Sequence, residues 1–174
     1  MSEELIRLMI NEAGNEYSAK IPDSDSKDCF VGLKMQELGQ KPGFMMALLL
    51  LDNEPELDKM DSIVKFLSGK FSKTLFGLEA NVQSGYQSIS IKYNGALPSM
   101  FSYVCSPSAP MNEKQQYWFD LYTSFMVGVF SGAILHFGKK SIPKIKKVSS
   151  DGIEIDFDLE DMKGTWEIAL KTHF

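Results

Sequence analysis

The stretch that most constrains this chain is "FMVGVFSGAILHFG", residues 125–138, inside a helix expected from about 115 to 137. Phe125, Met126, Val129, Phe130, Ile134, Leu135 and Phe137 cover its faces, and a helix that is apolar all round belongs in an interior. Gly128 and Gly132 are four positions apart, so they lie one turn apart on one face, with Ser124 and His136 extending the row. A glycine inside a helix costs about 1 kcal/mol relative to alanine. That cost makes sense where another element must approach the backbone closely, so Gly128 and Gly132 are read as helix-packing glycines. A phosphate loop would need a lysine and a hydroxyl after the glycines, or G-x-G-x-x-G after a strand, and neither is present.

A chain of 174 residues is long enough to bury a substantial core, and it reads as one domain over 1–174. Its net charge of −5 argues against a nucleic-acid surface, which needs a dominant basic face, but leaves room for a small anionic ligand. The two cysteines, Cys29 and Cys105, are too few for a disulfide framework or a four-ligand zinc site, and point to a reducing cytosol. "MSEELIRLMINEAG" has acids where a signal peptide would be basic, so no signal peptide is expected. "FMMALLLL" (44–51) falls short of the roughly 20 residues that cross a bilayer, so no transmembrane segment is expected either.

Leu5, Ile6, Met9 and Ile10 predict a short amphipathic helix over 3–13, closed by Gly14. A second helix is predicted from about 27 to 51, with "GQKPG" (39–43) kinking or interrupting it at Pro42. A third runs from about 58 to 76 and stops at Gly77. The period then changes to two in "YQSISIKY" (86–93), a strand, and "MFSYVC" (100–105) is expected to pair back on it as a second strand. After the apolar helix, "KSIPKIKKV" and "GIEIDFDL" form a hairpin around "SSDG". The order gives an α+β fold, with helices packed on one face of a twisted antiparallel sheet of about four strands.

No constellation for chemistry emerges, so no catalytic, cofactor-binding or metal-ligating residue is assigned and the chain is not read as an enzyme. His136 and His173 stand 37 positions apart, and His136 ends an apolar helix, where a packed ring is the commoner outcome. Cys29 and Cys105 sit in no nucleophile motif and read as buried, inert thiols. Asp151, Glu154, Asp156 and Asp158 lack calcium-loop spacing and fit the solvated face of a strand. The lysines of "KKSIPKIKK" (139–147) face acidic lipid headgroups, an acidic partner or, by the preferred reading, the acidic strand across the hairpin. The helices carry more apolar surface than one small sheet should cover. Phe44, Met45, Met46, Leu48 and Leu49 are therefore the expected partner interface.

The order "LGQ" (38–40), "SGKFSKTLFGLEANV" (68–82), "FMVGVFSGAILHFG" and "IPKIKKVSSDGIEIDFDL" resembles the small subunits of the transport protein particle, TRAPP. Leu38, Gly39 and Gln40, with Leu75, Phe76, Gly77, Glu79 and Ala80, carry the resemblance, which covers about 28–159 and leaves 160–174 as a C-terminal extension. It implies a non-catalytic subunit that pairs through its helices with related subunits, as a homo- or heterodimer. The implied assembly tethers vesicles in ER-to-Golgi type traffic and supports nucleotide exchange on a small GTPase. It also implies a cytoplasmic location, at most peripheral on Golgi or ER-Golgi membranes, and no cofactor. One branch of the family carries an acylated cysteine near the start of the third helix. The ungapped match here is Leu57, so the resemblance implies no acyl chain at that position. The 4-vinyl reductase domains, small-molecule sensors of related fold, are the alternative; they typically carry a cysteine in the last strand pair, and "VSSDGIEIDF" has none.

Overall fold

The structure, a computed structural model, describes residues 3–22, 26–51, 59–105 and 110–162. Helix α1 spans Glu3–Lys20 and α2 spans Lys27–Leu51. Then α3 (Met60–Phe66), a π-helical turn (Leu67–Phe71) and α4 (Ser72–Phe76) follow as one rod. Strands β1 (Asn81–Ser84) and β2 (Ser88–Asn94), a 3₁₀ turn (Ser99–Tyr103), α5 (Glu113–His136), β3 (Lys139–Ser149) and β4 (Gly152–Asp161) complete the order. The four strands form one antiparallel sheet in the order β1-β2-β4-β3, so the fold is α+β with a four-stranded sheet, as expected.

Period-two patterning builds the sheet. Ile89, Ile91 and Tyr93 on β2 lie opposite Phe157, Ile155 and Ile153 on β4, and all six are buried. The edge strand β3 tolerates Pro143, which has no N–H to give a further strand, and a register shift between Ile145 and Lys147 bulges it. Expectation and structure part at 100–105. "MFSYVC" is no strand: it opens with a 3₁₀ turn behind Pro98, and Met100, Phe101, Val104 and Cys105 are buried at helical spacing. The strand beside β2 is instead the short β1, tied to the π turn by the Ala80 N–H donating to the Ser68 carbonyl at 3.1 Å.

Helix α1 runs further than expected, while α2 has the bounds predicted for it. Gly14 does not end α1; it admits Trp118 of α5, whose ring carbon Cζ3 would lie 2.9 Å from a Cβ built there. Pro42 does not break α2, which runs unbroken to Leu51 while packed along its length on α5. Gly77, at φ 71°, does stop the third helical segment, as a left-handed C-cap that a side chain would strain. An Asn112–Gln115 capping box starts α5: the Gln115 N–H donates to Asn112 Oδ1 at 2.9 Å, and the Asn112 N–H to Gln115 Oε1 at 3.0 Å.

Among the described residues one helix, α5, is long and apolar enough to cross a membrane, yet 83% of that window is buried inside the molecule. It is the central core helix. Phe130 sits within ring contact of Phe71, Phe76 and Phe157, at centroid distances of 5.7, 5.5 and 6.5 Å.

Candidate partner-binding face

How α2 meets α5 decides what α2 leaves outside. Val31, Met35, Gly39, Gly43 and Ala47 recur every four residues and are all buried, forming one ridge laid on α5. The two helices run parallel, because Gly128 faces Gln36 and Gly132 faces Gln40. A Cβ on Gly128 would fall on the Gln36 carbonyl oxygen, and one on Gly132 on that of Gln40. The approach is reciprocal: Gly39 and Gly43 of α2 lie against the backbone of Phe125, Gly128 and Val129. Gly39 and Gly43 are not packing residues by the sequence alone, where "GQKPG" points only to a kink or an interruption at Pro42. The available clue was their four-residue spacing, the same as that of Gly128 and Gly132.

With one ridge fixed inward, the opposite side of α2 faces out while still bearing apolar residues. Phe30 and Leu33 near its start, and Met45, Leu48 and Leu49 near its end, are exposed; Leu49 reaches 65%. The ion pair of Lys34 with Glu37 at 2.7 Å lies between the two apolar ends. The five expected interface residues do not all share this face. Met45, Leu48 and Leu49 do, whereas Met46 packs against the core and Phe44 is partly covered, meeting the His136 ring edge-on at 5.3 Å. On α1, Leu8 is also exposed, at 56%.

The remaining candidates are structural in their surroundings. His136 is half-buried between Phe44 and Phe137, and burial holds its pKa below the usual value. An unfolded chain, with its imidazole near about 6.5, takes up the proton first as pH falls. Stability is therefore full above about 6.5 and declines as the pH drops toward the lower folded value. Thermal melts should fall in Tm between about pH 7.5 and pH 5.5, and less steeply in His136→Phe. Equal slopes in both proteins would exclude this contribution.

Cys105 is buried, its thiol donating to the Phe101 carbonyl at 3.5 Å, and burial pushes its pKa up. Cys29, expected to be buried, is exposed, because its position two residues before Val31 places it on the side of α2 opposite the inward ridge. The lysines of 139–147 face acids, as the hairpin reading held. Lys144 pairs with Asp158 at 2.5 Å, Lys146 with Asp156 at 3.5 Å, Lys139 with Asp161 at 2.7 Å and Lys147 with Asp151 at 3.1 Å. Lys92 meets Glu154 at 2.9 Å on the same sheet. Among the described residues no group of three or more His, Cys, Asp and Glu side chains is placed to hold a metal ion. His173 and Leu57, the position matched to an acylated cysteine, lie outside the described residues.

Compared with known proteins, the chain matches no protein-family model and no curated protein by sequence. By structure it is similar to a trafficking protein particle complex subunit 3 from Naegleria fowleri, solved covalently bound to palmitic acid. The TM-score is 0.68 at 15% identity, with 91% of this chain and 95% of the other covered. The fold is thus that of a TRAPP subunit over nearly its whole length.

Proposed function

We propose that this protein is a non-catalytic assembly subunit of a TRAPP-like trafficking complex, and that the outer face of α2 is where a related subunit docks. One observation carries the reading: on a fold shared with a complex subunit, Met45, Leu48 and Leu49 stand exposed on a helix whose other side is already fully used. Exposed apolar groups clustered on one helix face are what helix-to-helix docking buries, at about 25 cal/mol per Å² of apolar surface. The mechanism is geometric. The subunit holds its partner in register, and the assembly supports vesicle tethering and nucleotide exchange on a small GTPase in ER-to-Golgi type traffic. The corresponding location is cytoplasmic, peripheral on Golgi or ER-Golgi membranes. With its hairpin lysines neutralised by acids, the sheet offers such membranes little net positive charge.

Native mass spectrometry tests the reading. The wild-type protein should appear as a dimer, or as a complex with a co-expressed related subunit. Leu48→Asp combined with Leu49→Asp should return it to monomer while circular dichroism and Tm stay close to wild type, since both side chains are exposed. An unchanged oligomer in the double variant would remove this face from the assembly. Met46→Asp is the wrong probe, because Met46 packs against the core and its loss would disturb folding as well.

A further inference from the structure

The seam between α1 and the N-terminal half of α5 opens into a groove of about 620 Å³, with Tyr103 of the 3₁₀ turn on its rim. Arg7, Asn11 and Asn15 follow one another at one-turn spacing along the α1 wall. They span about 12 Å at 1.5 Å per residue. Lys114 and Trp118, also one turn apart, line the α5 wall. The Arg7 guanidinium lies 4.3 Å over the Tyr103 ring, which steadies it at the groove edge. The Tyr122 hydroxyl donates to Asn11 Oδ1 at 3.2 Å, fixing that side chain and leaving its amide N–H groups to donate. Among the described residues no carboxylate forms an ion pair with Arg7 or Lys114, whereas the hairpin lysines are matched with acids.

We propose that this groove docks an extended acidic peptide segment of a partner protein. The chemistry fits such a segment at three levels. Carboxylates meet Arg7 and Lys114, the two cations that line the groove among the described residues. The carboxamides of Asn11, Asn15 and Gln115 suit a peptide backbone, which offers alternating donors and acceptors. Trp118 and Tyr103 supply ring faces for an apolar side chain. A strand rises about 3.3 Å per residue, so the α1 wall accommodates about four residues. Direction of charge reinforces the choice. The neighbouring seam, between α2 and α5, is lined by Asp28, Glu113 and Asp120, and the chain as a whole carries −5, so an acidic segment is repelled elsewhere and drawn to this groove. The site lies on a different seam from the outer face of α2, and its test does not depend on that assignment.

The test uses the full-length protein and a fluorescein-labelled peptide, Gly-Asp-Asp-Phe-Glu-Asp-Gly, read by anisotropy at about 50 mM salt. Saturable binding that weakens as salt is raised is expected. Arg7→Gln and Lys114→Gln should each weaken it about threefold, and the pair about tenfold, in the range of single exposed ion pairs. Melting curves should stay unchanged, because both side chains reach solvent. The inference is overturned by an absence of saturable binding, by equal binding of the Asn/Gln version of the peptide, or by equal binding to the double variant. It is also overturned if free glutarate competes mole for mole with the peptide, which would assign the groove to small anions.

Discussion

Gly132→Ala should destabilise the protein by about 3 kcal/mol or more, at the upper end of overpacking effects. The new methyl group would fall on the Gln40 carbonyl oxygen and come within 2.8 Å of the Phe44 backbone nitrogen. Both are main-chain atoms of a packed helix, so no rotamer change relieves the clash; α2 must move away from α5. That separation also loosens the reciprocal contacts, in which Gly43 lies against Val129 and Gly128 against Gln36. The gain of about 1 kcal/mol in helix propensity opposes the effect but does not cancel it. Gly69 is the internal control, since a Cβ there meets nothing within 4 Å. Gly69→Ala should leave stability unchanged or raise it slightly. Urea unfolding of the two variants separates close packing from propensity, and matching midpoints would refute the close-packing account.

The second large effect is expected from Phe130→Ala, about 3–5 kcal/mol, the range for removing a buried aromatic ring. Phe130 is fully buried and touches rings from three other elements: Phe71 in the π turn, Phe76 at the end of α4 and Phe157 on β4. Those elements lie on different layers and cannot collapse together into the space, so most of the cavity should persist. Phe130→Leu fills part of the void and should cost distinctly less. A loss below about 1 kcal/mol for the alanine variant would mean that the ring cluster is not the joint between helices and sheet.

Much of this architecture was legible because period and punctuation are local. The alternation in 152–161, the helical spacing of 60–76 with Gly77 behind it, and the all-round apolarity of 125–137 each point to one element irrespective of the rest. "MFSYVC" was misread because six residues cannot distinguish a strand from a helical turn by pattern; Pro98 and the pairing of β1 with β2 decided it. Gly14 was misread for the opposite reason: it is a strong local breaker, overruled by packing against α5. Of the two outcomes expected at Pro42 the interruption does not occur, because α2 continues through it to Leu51. For the candidate face, the apolar run 44–51 was visible but its division was not. A run with no polar residue does not say which side turns inward, so Phe44 and Met46 could not be told from Met45, Leu48 and Leu49.

The groove between α1 and α5 was beyond the reach of the sequence, since Arg7, Tyr103 and Lys114 are brought together only by the antiparallel packing of the first helix on the last. The chain by itself therefore determined its class of fold and its central helix, both set by neighbours within one or two turns. Only the tertiary structure decided which apolar residues remain outside and which charges remain unmatched. Those properties depend on what stands opposite each side chain, and residues far apart in the sequence supply it.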